Sequence, residues 1–181
     1  MKPRLLEKYD NEIIKEIQEK FGIKNALAIP RLDKIVVNMG VGDAINDIKI
    51  MDSAIHDLET ITGQKAIMRR ARIAVSNFKL RKGMPVGCKV TLRRNKMYEF
   101  MDRFINICLP RIRDFNGVSR KSFDKQGNYT LGISDHSIFP EIETGRIQRT
   151  QGMDISFVFN KGPQEHTMEL LRLFGMPFSK V

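Results

Sequence analysis

The 181-residue sequence has no tryptophan, only two cysteines and no apolar run long enough to span a membrane. A transmembrane helix needs about 18 or more consecutive apolar residues, and a small secreted fold needs a denser set of paired cysteines. Glu7 and Asp10 stand where a signal peptide would have its apolar segment. We therefore expect Cys88 and Cys108 to be reduced thiols in a protein of the cytoplasm.

Acidic residues are absent from the 39 positions between Thr60 and Tyr98. This basic window contains eleven cations, which are Lys65, Arg69, Arg70, Arg72, Lys79, Arg81, Lys82, Lys89, Arg93, Arg94 and Lys96. The remaining 20 Lys and Arg nearly balance all 21 Asp and Glu, so the window accounts for the formal charge of +10. Such localised charge predicts a binding surface for a polyanion such as RNA. Gly83, Pro85 and Gly87 argue against a basic membrane-surface helix here.

Apolar periodicity predicts an α+β fold, with a mainly antiparallel sheet, helices packed on one face and a projecting basic loop. We expect a single domain over residues 1–181. The expected helices are Arg4–Phe21, Asp47–Thr62, Met97–Cys108 and Gln164–Phe174, and the expected strands are Leu32–Met39, Lys65–Val75, Met84–Arg93 and Gly152–Asn160, with a hairpin over Ser122–Ser134. The last helix is expected to present Met168, Leu171 and Phe174 to the core.

One face of the predicted strand Met84–Arg93 is polar and basic, and this face is the candidate RNA-binding surface. Its cations and those of the preceding strand suit phosphates, while neighbouring neutral side chains suit 2′-hydroxyls and base edges. The candidate residues are Lys65, Arg69, Lys89 and Arg93 for phosphates, and Asn38, Gln64 and Thr91 for the neutral groups. The loop Ser76–Gly83 carries Phe78 and Leu80, which could stack on a base; the alternative is that Phe78 folds back into the core.

Residues for catalysis or metal binding do not form a recognisable pattern. Gly40-Val41-Gly42 lacks the third glycine of a dinucleotide-binding turn, because Ile45 stands in its place. His56, His136 and His166 have no partners at metal-ligand spacing, so each is expected to be a surface or capping residue. An acid/base pair could be assembled from Asp135-His136 and Glu141-Ile142-Glu143. Any sequence of this length offers such pairs, so they do not indicate an enzyme. We expect no catalytic residue, metal, cofactor or small-molecule substrate.

Seven motifs follow one another along nearly the whole chain. They are Lys34–Gly42 (KIVVNMGVG), Thr62–Lys65 (TGQK), Phe78–Arg93 (FKLRKGMPVGCKVTLR), Pro110–Phe115 (PRIRDF), Lys121–Asp124 (KSFD), Gly127–Tyr129 (GNY) and Ile138–Glu141 (IFPE). A chain with these motifs resembles the bacterial large-subunit ribosomal protein family numbered five. The resemblance implies a structural protein that binds 5S ribosomal RNA, helps form the central protuberance and touches 23S ribosomal RNA.

The resemblance also implies positions for each contact. The 5S surface would lie on the sheet face, at Asn38, Gln64, Lys65, Lys89, Thr91 and Arg93. The loop would reach transfer RNA in the peptidyl site through Asn77, Phe78, Lys79, Leu80, Arg81 and Lys82. An intersubunit bridge to small-subunit protein thirteen would use Arg111, Arg113, Asp114 and Phe115 together with Ser134–Glu143.

Two positions in the loop depart from the family pattern. The family usually has a small residue at the position of Asn77 and often an acid at that of Lys82, so this loop is less pliable and more basic. Two other classes of function stay open, namely a nucleic-acid-modifying enzyme with the same basic face and an RNA-binding regulator that acts away from the ribosome. A turnover assay would reveal the first, and ribosome association at high salt would exclude the second.

Overall fold

The computed structural model describes residues 2–45, 47–142, 145, 149–160 and 162–179. Within these residues, five strands form one antiparallel sheet. Across the sheet, the strands of the described residues follow the order β2-β3-β1-β5-β4. Their bounds are Leu32–Gly40 for β1, Ile67–Arg70 for β2, Pro85–Leu92 for β3, Tyr129–Ile133 for β4 and Met153–Phe159 for β5. The predicted α+β class is confirmed.

The helices occupy the four segments that the apolar periodicity predicted. The first contains α1 (Arg4–Lys8) and α2 (Ile14–Phe21), joined by the π-helical turn Tyr9–Ile13, and the others are α3 (Ile48–Thr62), α4 (Arg94–Arg103) and α5 (Gln164–Leu173). After α4, the chain continues through the π-helical turn Phe104–Cys108 and the 3-10 turn Leu109–Arg111. None of the helices described has the length and apolar character that crossing a lipid bilayer requires.

Local sequence explains where two of these helices end. Gly22 and Gly63 are the C-terminal caps of α2 and α3, with φ of 64° and 61°. Residues with a Cβ rarely adopt this left-handed conformation, so glycine favours helix termination at both positions. Asp47 caps the start of α3, because its side chain accepts a hydrogen bond of 2.9 Å from the amide of Lys49.

Burial alternates along the central strands, so one face of the sheet is covered and the other is open. In β1, Ile35, Val37 and Met39 are fully buried, whereas the residues between them are half-buried. β3 follows the same pattern from Cys88 to Leu92. The period of two therefore places the apolar side chains on the covered face, as the alternation in the sequence predicted.

The predicted strand Lys65–Val75 is wrong at both ends, because β2 has only four residues. An irregularity in pairing lies between Arg69 and Arg70. Beyond it Ala71 forms backbone hydrogen bonds with Gly83 and Met84, which precede β3, and Ile73 is 70% exposed. The alternating apolar residues of this segment resemble a strand, but none of them is buried: Ala71 and Val75 are half-buried and Ile73 is exposed.

Two smaller expectations need correction. Met168 is half-buried, and Leu170 joins Leu171 and Phe174 in the core. The hairpin expected over Ser122–Ser134 has β4 as its second arm, but its first arm is reduced to a single bridge between Phe123 and Tyr129. A turn joins the two arms, since the amide of Asp124 donates a hydrogen bond of 2.9 Å to the carbonyl of Asn128.

The chain divides into two compact units, which are Met1–Ile35, Leu92–Leu131 and Ser156–Val181 for the first, and Val36–Thr91 and Gly132–Ile155 for the second. The first has an aromatic core in which Tyr129 approaches Phe123, Phe157 and Phe178. In the second, the buried residues of α3 include Met51, Leu58 and Ile61. A single domain stays a prediction.

Both cysteines are free and buried, one in each unit. Burial raises the pKa of Cys88 to about 11 and that of Cys108 also to about 11, because a thiolate is poorly solvated in an apolar interior. The expected reduced thiols are therefore structural core residues with little nucleophilic character.

Candidate nucleic-acid interface

The pairing of β2 with β3 sets which side chains share the open face of the sheet. Ile67 pairs with Lys89, and Arg69 pairs with Gly87, in antiparallel register. Residues directly opposite each other in an antiparallel pair point to the same side. Met68 pairs with Cys88 on the other side, where Cys88 is fully buried. Arg69 and Lys89, predicted from the sequence as phosphate contacts, therefore belong to one surface.

Two cations of this surface, together with Lys65, which lies two residues before β2, are accessible and have no acidic partner among the described residues. Lys65 is exposed, and Arg69 and Lys89 are half-buried. Among the residues that the structure describes, no carboxylate forms an ion pair with any of the three. Uncompensated cations on a strand face can neutralise phosphates without first breaking a salt bridge. We refer to Lys65, Arg69 and Lys89 as the free cation set.

Arg93 differs from the other predicted phosphate contacts. It follows the last residue of β3 in the sequence, and its Nη1 lies 3.2 Å from both carboxylate oxygens of Asp33. Asp33 is also 4.0 Å from the Nζ of Lys34. Arg93 is exposed, yet part of its charge is already compensated. Arg93 therefore has less free charge to offer a phosphate than the sequence alone suggests.

The neutral residues of the predicted site have unequal roles. Gln64 donates its side-chain amide to the carbonyl of Thr91 at 3.0 Å, so it ties the segment before β2 to β3. Asn38 and the side chain of Thr91 are half-buried on their strands and have no side-chain hydrogen bond among the described residues. Asn38 and Thr91 are the neutral groups that stay available for a ligand.

An exposed isoleucine on this face was not identified from the sequence. Ile67 is 61% exposed and lies opposite Lys89. A large apolar side chain beside cations can pack on a ribose or a base. Its position opposite Lys89 would have identified it, but the register of two strands cannot be read from the sequence.

Gly87 permits the close approach of β3 to β1 in the middle of the site. A Cβ added at this position would lie 2.4 Å from the carbonyl oxygen of Met39. Val41 extends the contact, because its amide donates 3.0 Å to the carbonyl of Val86. Glycine is therefore required at position 87 because the backbones of β3 and β1 approach each other closely there.

The loop between β2 and β3 is longer than predicted but has a defined shape. Its base is closed where the amide of Gly83 donates 2.9 Å to the carbonyl of Ala71. Nearer the tip, Val75 and Leu80 exchange backbone hydrogen bonds of 2.9 and 3.1 Å. Between them lies the 3-10 turn Ser76–Phe78. The loop is thus a small closed hairpin.

The side chains of the loop suit a nucleic acid. Phe78 is 74% exposed, so the alternative that it folds back into the core is wrong. Its neighbours Asn77, Lys79, Arg81 and Lys82 are also exposed, whereas Leu80 is half-buried. An exposed aromatic ring among cations is the combination that binds unstacked bases. Leu80 instead helps to close the loop.

The residues expected at an intersubunit bridge lie in both compact units. Arg111, Arg113 and Asp114 are exposed and Phe115 is half-buried, all in the first unit. The segment Ser134–Glu143 lies in the second unit, and its last residue is outside the described residues. Each segment is therefore a candidate surface within its own unit.

His136 is neither a surface nor a capping residue, contrary to expectation. It is 1% exposed, and its Nδ1 accepts a hydrogen bond of 3.1 Å from the amide of Gln151. Its Nε2 lies 3.6 Å from the carboxylate of Asp57. Asp135 does not form an acid/base pair with it by hydrogen bond, since its carboxylate accepts from the amide of Ser137 at 2.7 Å. His136 therefore holds this segment together.

The glycines at the end of β1 do not form a dinucleotide-binding turn. After Gly40, the chain enters the 3-10 turn Gly42–Ile45, and α3 begins only at Ile48. A dinucleotide site needs a helix N-terminus directly after the strand. Among the described residues there is also no group of three His, Cys, Asp or Glu that could hold a metal ion.

Comparisons with known proteins agree on one family. Residues 25–81 match the family model described as "Ribosomal protein L5", and residues 85–178 match that of the "ribosomal L5P family C-terminus". The chain is 54% identical to a large ribosomal subunit protein uL5 of Clostridium acetobutylicum, over 99% of this chain and 100% of that protein. The proteins of the same name from Clostridium kluyveri and Clostridium botulinum are 54% and 53% identical, over 99% of this chain and 99% and 100% of theirs.

Proposed function

Because the chain belongs to the ribosomal protein L5 family and is a structural constituent of the large ribosomal subunit, we propose that it binds 5S ribosomal RNA through the open face of its sheet. It is an RNA-binding protein of translation in the cytoplasm and not an enzyme. The observation that carries the proposal is the free cation set: Arg69 and Lys89 on the paired strands β2 and β3 and Lys65 just before β2, none of which has an ion pair among the described residues.

The chemistry of the surface fits a folded RNA. Lys65, Arg69 and Lys89 neutralise phosphates, and this gives affinity that depends on salt. Asn38 and Thr91 offer hydrogen bonds to 2′-hydroxyls, while Ile67 supplies an apolar contact. The rigid spacing of the two strands selects an RNA of matching shape. The further partners proposed are 23S ribosomal RNA, transfer RNA in the peptidyl site, and neighbouring ribosomal proteins including small-subunit protein thirteen.

A salt-dependent titration of the protein against 5S ribosomal RNA tests the proposal. Transfer RNA and an unrelated duplex of equal length serve as competitors. We expect tight binding that survives both competitors at physiological salt. Equal binding of all three RNAs, lost near physiological salt, would mean that the surface is only an electrostatic patch.

Lys89 and Arg93 provide a sharper comparison within the same experiment. We expect Lys89→Ala to reduce the slope of log K against log salt by roughly 0.7 to 0.9, the value of one phosphate contact. Arg93→Ala should change it by less than half as much, because Asp33 already compensates Arg93. Equal losses from the two variants would show that the ion pair with Asp33 opens on binding.

We place contact with transfer RNA on the loop through Phe78. Base stacking on an aromatic side chain contributes about 1 to 3 kcal/mol, so Phe78→Ala should weaken peptidyl-site transfer RNA binding by large subunits at least about fivefold. Phe78→Tyr is the matched control and should retain binding. Because Phe78 is 74% exposed, neither change should alter the melting temperature of the isolated protein. Unchanged transfer RNA affinity in Phe78→Ala would remove the ring from the contact.

A further inference from the structure

A cavity of about 370 Å³ lies in the first compact unit, between α5 and the chain around residue 120. Its lining consists of Arg120, Met168, Glu169, Arg172, Met176 and Phe178. We propose that this cavity binds a single unstacked nucleotide of ribosomal RNA. The proposal rests on the RNA-binding role of the family and is independent of the sheet face.

The walls of the cavity are fixed by hydrogen bonds outside the helix. Val118 forms a bridge with Phe178, and the amide of Ser179 donates 3.0 Å to the carbonyl of Val118. From the core side, the hydroxyl of Tyr129 donates 2.9 Å to the carbonyl of Ser119. The backbone next to Arg120 is therefore held on a preformed wall, so a ligand would lose little affinity to ordering of this part of the chain.

The interior of the cavity suits a flat apolar group. The ring of Phe178 is half-buried and is supported from behind by Tyr129, with ring centroids 5.8 Å apart. Met176 is 3% exposed, and Met168 is half-buried. Methionine side chains are polarizable and adapt to the shape of an aromatic ligand. A nucleobase can enter between these side chains as it does on other single-strand-binding surfaces.

The charge around the cavity favours an anion. Glu169 is the one acid among the described residues of the lining, and it is paired with Lys20 at 2.8 Å and with Arg172 at 3.6 Å. Arg120 is exposed and forms no ion pair among the described residues. These four side chains carry three positive charges and one negative charge. Phosphate on Arg120 with a base against Met168 fits this arrangement better than a neutral peptide does.

The test follows methionine methyl signals by NMR in the full chain, with single-stranded oligoadenylate as the probe. We expect ring-current shifts at Met168 and Met176, and none at the fully buried Met39 and Met51. An acidic peptide of alternating leucine and aspartate is the competing ligand. Shifts caused only by the peptide, or by neither probe, would overturn the proposal.

Variants separate this cavity from the sheet face. Arg120→Gln should raise the oligoadenylate concentration that gives half of the maximal shift at Met168 roughly fivefold. The reason is the loss of one charge-assisted contact to phosphate. Lys89→Ala should leave the shifts unchanged, because Lys89 belongs to the sheet face and does not line the cavity. If Lys89→Ala alone abolished the shifts, the probe would be reading the sheet face and the cavity would not be a site.

Assembled large subunits supply a second measurement. A photoreactive diazirine amino acid is placed at Arg120, an exposed position whose replacement leaves the core intact. We expect cross-links to ribosomal RNA, with 5S and 23S RNA separated by gel. Cross-links to a neighbouring protein alone, or to no partner in fully assembled subunits, would overturn the assignment of RNA as the occupant.

Discussion

Simultaneous replacement of Lys65, Arg69 and Lys89 by alanine should lower the affinity for 5S ribosomal RNA about 100-fold at physiological salt. Each phosphate contact contributes roughly 1 kcal/mol through counterion release at this salt concentration, and the three contributions add because the contacts are made independently. The slope of log K against log salt should fall by about 2 to 3. A titration series between 50 and 300 mM salt measures both quantities.

A matched control removes the same charge from elsewhere. Lys15, Lys24 and Lys125 are exposed and form no ion pair among the described residues. Their triple alanine variant has the same net charge as the first. We expect its salt slope to be unchanged, with a loss of affinity below about threefold from the weaker long-range field. Equal losses in both triple variants would mean that net charge, and not the sheet face, drives binding.

Gly87→Ala should destabilise the protein by about 3 kcal/mol, close to the upper range for overpacking a well-packed interior. The added Cβ would lie 2.4 Å from the carbonyl oxygen of Met39, and backbone on a neighbouring strand cannot move aside as a flexible side chain can. For a chain of this size, a loss of 3 kcal/mol lowers the melting temperature by about 6 to 12 °C. Thermal unfolding followed by circular dichroism measures this change.

Gly132→Ala is the matched control in another strand. Among the described residues, a Cβ there meets the carboxylate of Asp154 alone, at 3.5 Å, which is an ordinary contact. We expect its melting temperature to lie within about 3 °C of the original protein. A similar loss from both variants would show that glycine flexibility matters at each position. In that case the contact with Met39 would not be the cause.

The sequence predicted the local elements well because their signals are local. The helix spans follow from apolar residues three and four apart, and Gly22 and Gly63 mark two of the ends. The failures have the opposite origin. The segment after Arg70 alternates like a strand, but Ile73 is 70% exposed among the described residues. Met168 fits the helical stripe of the core, yet it lines a cavity.

The candidate site divides in the same way. The basic window and the alternation of β3 were enough to select Lys65, Arg69 and Lys89. The loss of free charge at Arg93 could not be predicted, because its partner Asp33 is 60 residues away along the chain. Burial of His136 beside Asp57 likewise depends on a contact between distant segments.

The sequence by itself determined the α+β class, the position of the basic window and the absence of acids that would neutralise it. Periodicity and charge are properties of neighbouring residues, so they can be seen without the fold. Only the tertiary structure decided which cations are free, why Gly87 must lack a side chain, and that Ile67 and Phe78 face the solvent. Those outcomes depend on strand register and on contacts between residues far apart in the chain, which a linear pattern does not specify.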